Sequence, residues 1–464
     1  MKKKDQTYSE DHLESTIQQY EKSILDGKDE YFDVDDIEAL VDYYMENGES
    51  EKALKVVQLG ISIHPNNADI KIAQAKIFLF TEKADEAELI YEYLATIEPD
   101  NCDIKLLGGE IKLLHGEETE ANKMFSDLIE EDSDYTCDVA YAYYDNFFYK
   151  EAIIYFEQEI EKETFKNVEV NFITDAAFCY QQLGQESKAI ALYEKLLDED
   201  PYCKEAWYNL GQLYFSAENY DKAVEAFDFA YVVGNDPQNL LQKGNALFQG
   251  NKLQTAIETY SAYGETGSDA RKIALVFIGE CYERMNDYDK AKEFYEKAIS
   301  EDPNNLGALS GMCICCLEQN DYKEGIEYAE RAIAIDPELP ENWMYKAEGK
   351  LNLGNVDEAL ACYLKASELA PNFAECLFSI GNIYINKGDY DKALEYYNRG
   401  SEINKDADKI ALYYAITFYK KGDFLQSHTY LIESILKDPE TRTIFFDICP
   451  EAKEDSLFKN LFEK

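Results

Sequence analysis

The chain has 464 residues, of which 46% are hydrophobic and 14% are aromatic, so it has enough apolar material for a folded core and is not a disordered chain. Its 93 acidic residues outnumber its 45 lysines and arginines, which gives a formal net charge of −48. This charge argues against nucleic acid and anionic membranes as partners, because both bind basic protein surfaces.

Neither a membrane anchor nor a secretory signal is expected. No apolar run approaches the roughly 20 residues that span a bilayer, and the basic N-terminus is not followed by an apolar stretch. The eleven cysteines are odd in number and scattered, which favours reduced thiols over a disulfide framework. We therefore predict a cytoplasmic protein.

A period of 34 residues runs through most of the chain. Seven of the ten prolines are separated by multiples of 34, namely Pro65, Pro99, Pro201, Pro303, Pro337, Pro371 and Pro439. Small residues recur with nearly the same period at two sites twelve residues apart, as at Gly211 and Ala223. An aromatic residue such as Phe227 follows the second site by four positions. A period of this length is typical of repeat architectures.

Each copy is predicted to form two helices, because its apolar residues stand at three- and four-residue steps. Between the two helices, six copies have a glycine that suits a helix end with positive φ. These are Gly48, Gly116, Gly184, Gly354, Gly388 and Gly422. We expect Gly211 and Ala223 to face each other across their hairpin, and the aromatic residue to fill the groove against the next copy.

In chain order, the predicted elements are an N-terminal cap, twelve helix hairpins and a C-terminal cap. The cap at 1–33 contains an amphipathic helix at 8–26, which can cover the first copy. The copies lie at 34–67, 68–101, 102–132, 133–169, 170–203, 204–236, 237–271, 272–305, 306–339, 340–373, 374–407 and 408–441. Residues 442–464 supply capping helices, because an uncapped end repeat exposes its core.

The copies resemble the tetratricopeptide repeat, whose signature is W-x2-L-G-x2-Y followed by A, F or Y, A and P at fixed offsets. The best copy has Trp207, Leu210, Gly211, Tyr214, Ala223, Phe227 and Ala230. The resemblance covers 34–441, most of the chain. It implies an all-α, right-handed α-solenoid, or superhelix, of tandem helix hairpins.

The sequence offers no catalytic constellation. The four histidines lie far apart along the chain, and repeats contact only their neighbours, so these side chains cannot meet. Phosphate-binding loops, zinc-protease motifs and nucleophile elbows are all missing from the sequence. We therefore predict a protein that is not an enzyme and has no cofactor and no metal site.

One thiol cluster leaves two interpretations open. Cys313, Cys315 and Cys316 lie in the first helix of the ninth copy. They form either a metal or redox site or part of the core, since a free cysteine behaves as a small hydrophobic residue. The second interpretation is favoured, because Cys313 occupies one of the small-residue sites and no second cysteine pair lies nearby.

The resemblance implies that the first helices of the hairpins line a concave groove that holds a segment of a partner protein. The groove positions carry sixteen acidic and four basic residues, a larger acidic excess than in the chain as a whole. Aromatic and amide side chains are concentrated in copies four to seven, where they suit an extended peptide. The candidate groove residues are Asp138, Tyr141, Asp175, Phe178, Tyr208, Asn209, Gln212, Gln242 and Asn245.

Similar domains that bind the acidic C-terminal tails of chaperones use a clamp of lysine and arginine residues, and this chain lacks that clamp. We therefore expect a protein or peptide partner with a basic or neutral segment. The predicted function is a non-enzymatic scaffold or adaptor for protein–protein interaction. The alternative is a structural, self-assembling solenoid whose surfaces mediate homo-oligomerisation, and the sequence leaves the oligomeric state open.

Overall fold

The computed structural model describes residues 10–26, 30–162, 170–404 and 409–462, and these residues form helices and no strand. The α-helices are α1 Glu10–Asp26, α2 Val34–Glu46, α3 Ser50–Ile63, α4 Ala68–Phe80, α5 Ala84–Ile97, α6 Cys102–Leu114, α7 Glu118–Glu131, α8 Thr136–Asp145, α9 Tyr149–Lys162, α10 Val170–Gln182, α11 Glu186–Glu199, α12 Lys204–Ser216, α13 Tyr220–Gly234, α14 Pro237–Gln249, α15 Leu253–Gly264, α16 Ser268–Arg284, α17 Tyr288–Glu301, α18 Leu306–Glu318, α19 Tyr322–Ile335, α20 Pro340–Asn352, α21 Val356–Leu369, α22 Ala374–Asn386, α23 Tyr390–Ile403, α24 Ile410–Lys421, α25 Phe424–Lys437, α26 Thr441–Ile448 and α27 Lys459–Phe462. Short 3-10 helices occur at Ser133–Tyr135 and Pro450–Lys453.

The helices from α2 to α25 pack in chain order as twelve hairpins, from α2 with α3 to α24 with α25. The chain divides into two compact units, Met1–Gly234 and Asn235–Lys464. In the first unit, the first helices of neighbouring hairpins also contact each other, as α2 does α4, α4 does α6 and α6 does α8. In the second unit α16 contacts α18, and α18 contacts α20. The all-α solenoid fold is therefore confirmed.

Each hairpin turn contains one residue in the left-handed backbone region. The six predicted glycines have φ between 67° and 88°, which confirms their role. In the other six hairpins the residue is Glu82, Phe147, Glu218, Asn251, Asn286 or Asn320. A side chain is strained in this conformation, least so for asparagine. Phe147 therefore stands out as a bulky aromatic residue at a position that favours glycine.

Close contact within a hairpin is made by an aromatic ring on a glycine. A Cβ atom at Gly211 would lie 2.7 Å from Cε1 of Phe227, so the ring of the second helix lies directly on the first helix. The side-chain atoms nearest to Gly211 belong to Phe227, and the expectation that Gly211 faces Ala223 stays a prediction. The first helix needs a small residue there to admit the ring.

The same ring also joins neighbouring hairpins, as the sequence predicts. A Cβ atom at Gly279, in the same hairpin as Tyr295, would lie 2.5 Å from Cε1 of the tyrosine. A Cβ atom at Gly311, in the next hairpin, would overlap Cζ and Cε2 of the same ring. Tyr295 is fully buried between these two glycines.

The ends of the repeat array are covered by additional helices. Tyr20 of α1 joins a core with Ile37 and Tyr44, and α26 contacts both α24 and α25. Phe445 and Phe458 are buried in the core of the C-terminal hairpins. Both arrangements agree with capping, but the division into 1–33, 34–441 and 442–464 stays a prediction. One helix begins early: α16 starts at Ser268, four residues before the predicted copy at 272–305.

The glycine–aromatic contact predicts the effect of a single methyl group. Gly311→Ala should lower the free energy of unfolding by about 1–3 kcal/mol, because overpacking against Tyr295 outweighs the usual gain of about 0.5–1 kcal/mol from alanine in a helix. Denaturant titration of the full chain measures this difference. Gly307→Ala in the same helix is the control, since its Cβ would meet Val276 Cγ1 at 3.2 Å and Asn305 Oδ1 at 3.7 Å, without overlapping a ring. A Gly311→Ala protein as stable as the wild type would contradict the packing.

Candidate protein-interaction surface

In the first unit, the first helices of successive hairpins bring carboxylates of different repeats close together. Burial raises the pKa of Glu110 on α6, and the nearby Asp145 and Asp138 on α8 raise it further, while Lys76 on α4 acts in the opposite direction. Burial also raises the pKa of Asp145, and the neighbouring Asp175 adds to this effect. These shifts follow from placing like charges on adjacent helices.

Asp175 and Tyr141 are both predicted groove residues, and the structure brings them together. The Tyr141 hydroxyl donates a hydrogen bond to Asp175 Oδ2 at 3.0 Å. Burial raises the pKa of Asp175, and the hydrogen bonds from Tyr141 and Tyr144 partly oppose that rise. The carboxylate of α10 is thus tied to the tyrosines of α8, which fixes its position on the inner layer of helices.

An aromatic patch extends from this carboxylate. It begins with Tyr141 and Tyr144, which hydrogen-bond to Asp175, and continues with Phe147, Tyr149 and Phe178. The Phe178 ring lies 5.9 Å from that of Tyr144 and 5.6 Å from that of Tyr149. The Phe147 ring lies 6.2 Å from that of Tyr149. Phe178 is 36% exposed and Phe147 is 77% exposed. Tyr141 and Phe178 are predicted groove residues, whereas Phe147 is not among them; its only signal in the sequence is that it stands where other repeats have glycine.

The other three candidates of the first unit are Tyr208, Asn209 and Gln212 on α12, and all are partly exposed. Gln212 Nε2 donates to the Tyr208 hydroxyl at 2.9 Å. Asn209 Nδ2 donates to Thr174 Oγ1 on α10 at 3.3 Å, which is a weak bond between neighbouring hairpins. The amides therefore have contacts within the protein, and their role in binding a peptide stays a prediction.

The remaining two candidates, Gln242 and Asn245, belong to the second unit and lie on α14. Asn245 Nδ2 donates to Gln242 Oε1 at 3.4 Å. The hydroxyl of the buried Tyr260 donates to Asn245 Oδ1 at 2.8 Å. Asn245 thus stabilises the core, because removing its side chain would leave the buried Tyr260 hydroxyl without this acceptor. Sequence analysis had no signal for this role, because the partner depends on side-chain packing.

The second unit has its own group of carboxylates on α16, α18 and α20. Burial raises the pKa of Glu280 to about 7, and the nearby Glu283 contributes to the rise. Glu283 accepts a hydrogen bond from the Tyr295 hydroxyl at 2.8 Å. Glu318 raises the pKa of Glu283 and also that of Glu348, where burial is again the larger cause. A cation bound here would stabilise the charged forms.

The thiol cluster lies inside the core. Cys313, Cys315 and Cys316 are fully buried. Burial raises the pKa of Cys313 and Cys315 to about 12 and that of Cys316 to about 11. Thiolates are the metal-binding and nucleophilic form of cysteine, so these shifts disfavour both kinds of chemistry.

Sequence comparison identifies the family. Two models described as tetratricopeptide repeat match the sequence, one at residues 283–348 and the other at 180–239 and 241–305. The chain is a tetratricopeptide repeat protein. The α-helices of its described residues fit about twelve such repeats, and the family supports a general role as a protein-interaction scaffold. A model for regulator of microtubule dynamics protein 1-3 matches residues 348–412.

Curated relatives share short stretches with this tetratricopeptide repeat protein. Protein O-mannosyl-transferase TMTC1 of Homo sapiens is 28% identical over 26% of this chain and 14% of its own length. RNA polymerase-associated protein CTR9 of Caenorhabditis elegans is 34% identical over 24% of this chain and 10% of its own length. Heat shock protein STI1 of Saccharomyces cerevisiae is 28% identical over 20% of this chain and 16% of its own length. The matches thus span at most about a sixth of each of these relatives.

Among solved structures, a tetratricopeptide repeat protein from Parabacteroides merdae is 14% identical, covers 53% of this chain and 97% of its own, and has a TM-score of 0.43. The APC/C hetero-tetramer Cut9–Hcn1 is 11% identical, covers 86% of this chain and 94% of its own, and has a TM-score of 0.40.

None of the described helices is long and apolar enough to cross a membrane.

The raised pKa of Glu280 predicts how stability depends on pH. The folded protein binds this proton up to about pH 7, whereas the unfolded chain releases it at the ordinary glutamate pKa of about 4.3. Stability from this group is therefore greatest at acidic pH and is lost as the pH rises through about 7. Glu280→Gln should raise the free energy of unfolding at pH 8 by about 1–2 kcal/mol, allowing for solvent screening.

Denaturant titration of both proteins at pH 6 and at pH 8 measures this effect. The gain should be smaller at pH 6, where the wild-type carboxyl is largely protonated. Glu296→Gln on the exposed side of α17 is the matched control. An equal effect of Glu280→Gln at both pH values would contradict the assignment.

Proposed function

We propose that this protein is a non-enzymatic scaffold or adaptor whose inner layer of first helices binds a segment of a partner protein, and that this segment is basic or neutral, with basic side chains favoured. The observation that carries the proposal is the position of carboxylates on the first helices. Glu110, Asp175 and Glu280 are partly buried, and each lies close to another carboxylate. Carboxylates held close together and partly removed from water are unfavourable without a cation, so a lysine or arginine would be attracted to them.

The aromatic patch and Asp175 form the most specific part of the proposed groove. Phe178 and Phe147 expose ring surface on which an aliphatic stem or a cationic group of a partner can lie. Asp138 and Asp175 supply the negative charge. Asn209 and Gln212 are proposed to pair with the partner's backbone, Asn209 in exchange for its weak bond to Thr174 and Gln212 in exchange for its bond to Tyr208.

In the second unit, Gln242 and Asn245 are proposed to bind the partner's backbone in the same way. Asn245 also accepts a hydrogen bond from Tyr260. A cytoplasmic location is part of the proposal as well. All eleven cysteines are free thiols, which agrees with a reducing compartment. The acidic charge likewise supports a protein partner over nucleic acid or membrane.

A titration with two model peptides tests the proposal. A fluorescent lysine-rich peptide should bind the full chain, and a glutamate-rich peptide of the same length should not. Raising the salt concentration should weaken the lysine-rich complex, mainly through slower association. Equal binding of both peptides, or salt-independent binding of the lysine-rich one, would contradict the proposed surface.

Two paired variants separate the groove from the general charge of the chain. Asp138→Asn with Asp175→Asn should weaken binding of the lysine-rich peptide about tenfold, because each lost charge pair contributes about 0.2–1 kcal/mol or more when partly buried. Asp127→Asn with Asp198→Asn makes the same change in net charge at exposed sites on second helices of the same unit. If both pairs weaken binding equally, the peptide is bound by overall charge alone.

Phe147 predicts opposite changes in stability and binding. Phe147→Gly should raise the free energy of unfolding by about 1 kcal/mol, because glycine removes the strain at φ of 65°. The same change should weaken peptide binding several-fold, since it removes an exposed ring of the aromatic patch. Glu218→Gly, at the equivalent turn with φ of 56°, should stabilise the protein without weakening binding. A Phe147→Gly protein with unchanged affinity would exclude Phe147 from the site.

A further inference from the structure

The solvent-facing side of α25 carries an apolar stripe, which we call the α25 stripe. It consists of Leu425, Thr429, Ile432 and Leu436. The three aliphatic side chains are 75%, 37% and 81% exposed, respectively. Their spacing of four, three and four residues places all four on one face of the helix.

The other repeats serve as an internal comparison. At the position of Leu425, each of the other eleven second helices has a polar residue. The second helix of the preceding hairpin, α23, has Asp391, Glu395, Asn398 and Glu402 at the four stripe positions, and all are exposed. The outer face of the preceding hairpin is therefore polar, and the α25 stripe departs from it. Among the other second helices, α5 also exposes Leu89, Tyr93 and Ile97, but it has Asp85 at the position of Leu425. Contiguous exposed apolar surface marks an interaction site.

The stripe is complementary to itself. Its spacing is the same from either end, so an antiparallel second copy of α25 places Leu425 against Leu436 of that copy. The same arrangement places Thr429 against Ile432 of the second copy. A two-fold interface requires such a pattern, because one surface must fit itself.

Charge also favours a second copy at this end of the chain. Residues 409–464 contain eight lysines and arginines and nine acidic residues, a net charge of −1, whereas the preceding 408 residues carry the remaining −47. Within α25 the only acidic residue, Glu433, pairs with the only lysine, Lys437, at 3.4 Å between Oε1 and Nζ. Two copies of so acidic a chain repel each other, and this nearly neutral segment adds little to that repulsion.

From these observations we propose that the protein forms a two-fold dimer in which the α25 stripes of two copies pack antiparallel. A contact of one helix on one helix is smaller than a standard stable interface, so the dimer dissociates on dilution. The dimer leaves the first helices of both copies available to a partner. The proposal is independent of the proposed groove.

Sedimentation equilibrium of the full chain over a concentration series tests the dimer. At physiological salt, the mass should rise from 53.4 kDa towards twice that value, and higher salt should favour the dimer by screening the repulsion. Leu425→Asp with Leu436→Asp should keep the protein monomeric at every concentration. Leu89→Asp with Ile97→Asp, two exposed sites on α5, adds the same charge and should leave the dimer intact.

A second variant strengthens the stripe without changing the charge, and so separates the apolar contact from the effect of the two added aspartates. Thr429→Leu completes the apolar stripe on both copies and should lower the dimer dissociation constant about tenfold. A wild-type protein that stays monomeric throughout would overturn the proposal, as would a dimer that survives Leu425→Asp with Leu436→Asp. An unchanged dissociation constant for Thr429→Leu would also overturn it. Capture of a different protein by the stripe of a monomeric chain would show another occupant.

Discussion

The contact between an aromatic ring and a glycine is the constraint on which the rest of the structure depends. Phe227 on Gly211 and Tyr295 on Gly279 hold the two helices of a hairpin at close range. Tyr295 also reaches Gly311 of the next hairpin, so the same ring determines how neighbouring repeats stack. Once this packing is repeated, first helices lie beside first helices and form one layer within each unit.

The layer of first helices brings negatively charged side chains close together. Glu110 lies near Asp138 and Asp145 of the next repeat, and Asp145 lies near Asp175 of the repeat after that. Glu280 lies near Glu283 of its own helix. The pKa of each is raised by burial first and by like charge second. The fold therefore keeps an unfavourable arrangement of charge in its inner layer. A surface that is poorly solvated and strongly negative should bind a cationic segment, because the cation offsets the repulsion between the carboxylates.

Much of this structure was predictable because it is periodic. The prolines, the turn glycines and the small residues each report the 34-residue repeat, and Gly422 has the positive φ that its position requires. The details that sequence analysis missed are those that depend on side-chain direction. Nothing in the pattern around Asn245 indicates that it accepts a hydrogen bond from Tyr260, fifteen residues later. Phe147 is also not predicted from the pattern, because a turn position indicates the backbone conformation and not the exposure of the side chain.

The most direct test of the charged inner layer is the number of protons exchanged when a ligand binds. Calorimetric titration of the full chain with a lysine-rich peptide, in two buffers of different ionisation enthalpy at about pH 6.5, gives this number. A cation beside the carboxylates lowers their pKa, so the account predicts net release of protons on binding. At this pH the carboxyl of Glu280, whose pKa is raised to about 7, still holds a proton in much of the protein. Binding with no proton release, or with proton uptake, would show that the peptide does not contact Glu280, and would contradict the account.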